Sequence, residues 1–99
     1  MNAPLEKHVT ADIMAFLKEL GQYRCWYMKV HGGPYGRSGI PDIIGVLDGR
    51  LFAIEVKRPG RKGTATPLQM LELHKIRLAG GVAEIATSVE EAKEILGLS

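Results

Sequence analysis

The 99-residue chain carries one cysteine, one tryptophan and two phenylalanines. A lone Cys25 cannot close an internal disulfide, so no disulfide framework supports the fold and a reducing, cytoplasmic setting is expected. Cys25 stands beside Trp26 and Tyr27, a setting that suits packing better than nucleophilic chemistry. Long uncharged apolar runs are missing, so no membrane span is expected. The opening MNAPLEKHVT has no apolar signal core ahead of its acid and lysine, which argues against secretion. Charge of one sign does not dominate either: 13 Lys and Arg face 11 Asp and Glu, for a net +2. His8, His31 and His74 show no zinc-like spacing. No P-loop, Gly-x-Ser-x-Gly or dinucleotide fingerprint occurs, so no nucleotide cofactor is expected. Repeats, low-complexity tracts and linkers are absent too. Residues 1–99 therefore read as one small domain, in which burial is limited and oligomerisation would help.

What is present alternates between helix and strand patterns. Leu5, Val9, Ile13, Phe16, Leu17 and Leu20 repeat at three and four residues and predict a helix over 5–20. Gly21 is its stop. YRCWYMKV, 23–30, reads as a strand, with Tyr23, Trp26 and Tyr27 expected in the core or a dimer interface. A glycine-rich loop, HGGPYGRSGI, fills 31–40. Two strands follow around Asp48-Gly49, then the basic loop RPGRKGTAT at 58–66. Thr66-Pro67 opens a helix running to Leu78 or Ala79. VAEIA, 82–86, is a short strand. Ser88-Val-Glu-Glu91 is a capping box for a last helix through Leu96. The order is α-β-β-β-α-β-α. Adjacent strands would pair antiparallel, and the strand after the crossover helix could join in parallel, giving a mixed α/β sheet flanked by helices.

The segment DIIGVLDGRLFAIEVK, 42–57, sets charges at the open end of an apolar hairpin. Asp-Gly between apolar runs is a strong hairpin signal. With Asp48 and Gly49 as a two-residue loop, Leu47 faces Arg50, Val46 faces Leu51, Ile44 faces Ala53 and Asp42 faces Glu55. Opposed residues share a face, with Cβ atoms about 4.5–5.5 Å apart. Lys57 points to that face too, roughly 6.6 Å further along. Ile43, Leu47, Phe52, Ile54 and Val56 form the alternate face, so both faces are apolar and the strands are interior. Two carboxylates side by side repel unless a cation lies between them. Oxygen donors suit Mg²⁺ or Mn²⁺. A solvated acid–lysine pair at a sheet edge is the blander alternative, and the covered face speaks against it.

Pro41-Asp42 followed by Glu55-Val56-Lys57 resembles the PD-(D/E)xK nuclease motif. Gly39-Ile-Pro-Asp-Ile-Ile-Gly45, Ile54-Glu-Val-Lys-Arg58, and Gln69 after Thr66-Pro67 are similar to the VRR-Nuc branch of that superfamily. The likeness spans nearly the whole chain. It implies a restriction-endonuclease-like core. It implies Asp42, Glu55 and the Val56 carbonyl as metal ligands, with Glu6 as an added acid at the rim. Lys57 would be the catalytic lysine and Gln69 a group near it or near the metal-bound water. On a helix of about 100° per residue, Gln69 falls roughly 20° from Ile76 and 40° from Leu73, on the inward side. An inward amide needs a partner. Glu6 also suits the positive end of a helix, whatever else it does.

Arg37 and Ser38 precede the Asp42 strand and could approach a phosphate, with a solvated loop as the alternative. Arg58, Arg61 and Lys62 fit contacts to the DNA backbone. The resemblance implies a Mg²⁺- or Mn²⁺-dependent endonuclease acting on branched DNA, a four-way (Holliday) junction first, as a homodimer in a bacterial or phage-infected cell. A flap or non-specific nuclease, and a non-catalytic basic DNA-binding module, are the alternatives.

Overall fold

The computed structural model describes residues 4–31, 36 and 38–98. Its elements are α1 (Glu6–Glu19), β1 (Cys25–Lys29), β2 (Ile43–Leu47), β3 (Arg50–Val56), α2 (Pro67–Leu78), β4 (Val82–Ala86) and α3 (Val89–Ile95), with a short 3₁₀ turn at Lys62–Thr64. The expected α-β-β-β-α-β-α order holds. The sheet runs β1-β2-β3-β4. β1, β2 and β3 are antiparallel neighbours, while β4 returns through α2 to lie parallel to β3.

The hairpin sets the frame. Asp48 at φ 50 and Gly49 at φ 86 place both central residues in the left-handed region, as a type I′ turn requires. The register is Leu47↔Arg50, Val46↔Leu51, Gly45↔Phe52, Ile44↔Ala53 and Ile43↔Ile54, as the turn length predicts. Gly45 is a packing requirement. A Cβ there would lie 2.3 Å from the Trp26 carbonyl oxygen and 2.5 Å from the Phe52 ring. The Phe52 ring thus lies across the glycine.

Two apolar layers sandwich the sheet. Val9, Ile13 and Leu17 of α1, with Ala92 of α3, pack on Ile43, Leu47, Phe52, Ile54 and Val56. On the other face Leu73 of α2 packs on Ala53 and Ala83, flanked by Ile44, Ile76 and Ile85. α2 covers the β3–β4 half of its face. Trp26, Met28, Val46 and Leu51 are exposed. The first strand is shorter than expected, and its aromatics divide: Tyr27 packs against the core as expected, whereas Trp26 is 57% exposed and Tyr23, ahead of the strand, 97%. β1 is an edge strand, so aromatic richness there signals a surface. Cys25 is buried, and burial raises its thiol pKa, which suits a packing residue.

The caps hold one surprise each. Thr66 caps α2 with a full capping box, the Thr66 hydroxyl accepting from Gln69 N–H and the Gln69 side chain accepting from Thr66 N–H. At α3 the Ser88 hydroxyl accepts from Glu91 N–H at 3.1 Å. The Glu91 carboxylate, however, accepts from Thr87 N–H, one residue earlier than the box predicts. No helix among the described residues is long and apolar enough to cross a membrane.

Candidate active site

Continuing the hairpin register beyond Ile43↔Ile54 puts Asp42 opposite Glu55 and Pro41 opposite Val56. The α1 start adds Glu6. One ligand atom each from Glu6, Asp42 and Glu55 lies within 4.8 Å of the others. The charges scattered along the chain thus resolve into one acidic cluster at the open end of the hairpin, drawn from α1, the lead-in to β2 and β3.

Glu55 is 1% exposed, and its Oε2 is buried with no hydrogen-bond partner. Burial, then the hydrogen bond and negative charge of Asp42, push its pKa up to about 9. Lys57 opposes that rise and Glu6 adds to it. Without a cation, Glu55 therefore holds its proton at neutral pH. A buried, orphaned carboxylate oxygen among acids costs stability unless something binds it. Oxygen donors alone, with no His or Cys among them, suit a hard divalent cation such as Mg²⁺ or Mn²⁺.

Backbone geometry shapes the same spot. The Asp42 carbonyl accepts from Val30 N–H at 2.8 Å, so that residue still belongs to the β1–β2 ladder. Its side chain turns toward β3, where Oδ2 accepts from Val56 N–H at 2.7 Å. A carboxylate thus stands where the next ladder bond of β2 would be. On the other side of β3, Lys57 N–H donates to the Ala86 carbonyl at 3.1 Å, which fixes the start of the segment leaving the sheet. Lys57 follows Glu55 on the face that also carries Ala53.

The lead-in to Asp42 rests on α2. Gly39 has φ +83, and a Cβ there would lie 2.7 Å from the Leu68 carbonyl carbon and oxygen. The first turn of α2 therefore touches the loop before β2. Gln69 lies in that turn, and its Oε1 accepts from Thr66 N–H at 2.9 Å. Its carbonyl end is thus used in capping. Thr66-x-x-Gln69 is the spacing that signals this use.

The basic residues divide. Arg58-Pro59-Gly60-Arg61 is a β-turn closed by Arg61 N–H to the Arg58 carbonyl at 3.0 Å, with Gly60 at φ +81, a type II arrangement. Arg61 is exposed and Arg58 half-buried. Lys62 is ion-paired to Glu91. Ser38 is exposed in a turn, and Arg37 lies outside the described residues. The importance of Thr87 and Glu91 to the basic loop escapes the sequence, because nothing in it brings residue 91 to residue 62.

Two solved structures share this architecture. One, a VRR_NUC domain, superposes with a TM-score of 0.73 at 24% identity, over 93% of this chain and 94% of that one. The other, a VRR_NUC domain protein, also gives 0.73, at 18% identity, over 97% of this chain and 88% of that one. No family model and no curated protein matches the chain. The chain has the fold of these VRR_NUC domains, which is the fold its motifs led one to expect.

Proposed function

We propose that the chain is a VRR-Nuc nuclease of the PD-(D/E)xK type, a metal-dependent endonuclease that hydrolyses phosphodiester bonds in DNA. The observation that carries this reading is the orphaned Oε2 of buried Glu55 beside Asp42 and Glu6. The fold shared with VRR_NUC domains agrees with it.

Asp42 and Glu55 would hold Mg²⁺ or Mn²⁺, with the Val56 carbonyl and Glu6 as further oxygen donors. The bound cation supplies Lewis-acid stabilisation of phosphate charge and a more acidic water. Asp42 is held by Val56 N–H, so its free oxygen is aimed before any ligand arrives. Glu55 must give up its proton to serve as a ligand, and Lys57 favours that ionised form. The Lys57 ammonium then stabilises negative charge as it builds on phosphate oxygens. Arg58 and Arg61 leave the sheet directly after Lys57 and would meet the DNA backbone. Ser38 and Arg37 would approach from the loop ahead of Asp42. For Gln69 the remaining task is to present its amide nitrogen toward the site, since its oxygen caps α2.

The preferred substrate in this reading is a four-way junction, cut by a homodimer with one site per strand. The exposed row Trp26, Val46 and Leu51 supports a second copy. The test is cleavage of labelled junction, flap, duplex and single strand with Mg²⁺, Mn²⁺ or EDTA. Paired symmetric nicks on the junction are expected. Flap incision would replace the junction reading, and no metal-dependent cleavage of any substrate would end the nuclease reading.

A further inference from the structure

Pro41 stands opposite Val56 when the register Ile43↔Ile54 is carried two residues on. In a regular antiparallel ladder that pair would exchange two backbone bonds, N–H of 41 to the 56 carbonyl and N–H of 56 to the 41 carbonyl. Neither half is available here. Proline has no N–H to donate. The Val56 N–H donates instead to the Asp42 carboxylate at 2.7 Å. The β2–β3 ladder therefore stops at Ile43↔Ile54, although the β1–β2 bonding reaches one residue further, through Val30 N–H and the Asp42 carbonyl. Pro41 is itself fully buried.

We infer that Pro41 is a positioning residue that keeps the sheet from zipping shut across the acidic cluster. An N–H at residue 41 would draw the Val56 carbonyl into the ladder. Closing that pair would also compete for the Val56 N–H and turn the Asp42 carboxylate away. One missing donor thus leaves two oxygens free for a cation, the Val56 carbonyl and one oxygen of Asp42. This rests on the metal-binding part of the proposed function, but its structural half stands apart from it.

The experiment uses Pro41→Ala and Pro41→Val in the full chain. Both restore an N–H, and the valine keeps most of the buried volume. Amide hydrogen exchange without metal, followed residue by residue, reads the ladder. Titration with Mn²⁺, without DNA, reads the site. The residue-41 amide is expected to be protected in both variants. Mn²⁺ affinity is expected to fall about tenfold in both, the size typical of a lost supporting contact at a metal site. A freely exchanging residue-41 amide overturns the inference, whatever the metal does. So does loss of affinity in the alanine variant alone, which would mark a packing effect. If wild type itself takes up no Mn²⁺, the metal reading fails first, and a protected residue-41 amide still supports ladder closure by that N–H.

Discussion

Glu55 sets the energetics of the site at the scale of a single residue. Its pKa is about 9 in the folded protein against 4.5 ordinarily. Between those values the folded state keeps a proton that the unfolded chain has lost. Stability of the metal-free protein is then highest below about pH 4.5 as far as this group is concerned, and it declines as pH rises toward 9. Urea unfolding of EDTA-treated protein across that range checks the sign. Glu55→Gln should flatten this part of the profile, raise metal-free stability at pH 8 and abolish Mn²⁺ uptake. A profile unchanged by the substitution would show that Glu55 ionises freely. Lys57 plays the opposite part: its charge opposes the rise in the Glu55 pKa, and in the proposed nuclease it would serve the reaction. Lys57→Ala should reduce cleavage by about 100-fold or more, in the range for losing one transition-state contact, while DNA binding in Ca²⁺ stays within a fewfold of wild type. Unchanged cleavage would remove its assigned role.

Elements hold these residues in place, and two joints decide how well. The first is the Asp48-Gly49 turn, which fixes the count that brings Asp42 opposite Glu55. One residue inserted there shifts every pair and moves the acid set to the wrong face. Cleavage should fall by about 100-fold or more, with helical circular dichroism retained; retained activity would show that the register does not matter. The second joint is the Glu91 carboxylate, which accepts from Thr87 N–H and pairs with Lys62 of the basic loop. Burial alone would raise the Glu91 pKa, but Lys62 and Thr87 together lower it. Its contribution to stability is present above the ordinary carboxylate range and lost as pH falls through the depressed value. Because Lys62 is engaged there, Lys62→Ala should leave the salt slope of DNA binding unchanged, whereas Arg61→Ala should lower it by about 0.9. A drop of that size for Lys62 would make it a phosphate contact after all. These two joints also mark what sequence could and could not reveal. The hairpin was readable because turn chemistry and a two-residue period fix register locally, and β4 because VAEIA is bounded by glycines and a cap. Glu91–Lys62 was not, since it joins residues 29 apart through the crossover. Gln69 was half read: its inward angle is visible in the helical period, but its capping partner competes for the same side chain. Tyr27 was read correctly as packed on the core, but Trp26 as a core residue was not, because richness in Trp and Tyr does not distinguish a central strand from an edge.

Among the described residues, one face of the sheet is left partly uncovered. α1 and α3 close one side of the sheet, while α2 covers the other only over β3 and β4. Trp26 pairs with Val46, and Val46 with Leu51, so these three exposed side chains form one row across β1, β2 and β3. The row lies toward the hairpin turn, at the end of the sheet away from Asp42. A second copy seated there would cover it without blocking the acids, and β1 offers an unpaired edge beside it. A small domain gains most from such burial. Trp26→Glu places a charge at the β1 end of the row, beside Val46. It should convert a dimer to a monomer in sedimentation at micromolar concentration and leave Mn²⁺ affinity unchanged. On a four-way junction it should lose paired nicks while keeping single ones, because each protomer carries its own Asp42, Glu55 and Lys57. A Trp26→Glu protein that still sediments as a dimer would move the interface elsewhere. A wild-type monomer would separate the uncovered row from self-association and take the paired-nick mechanism with it.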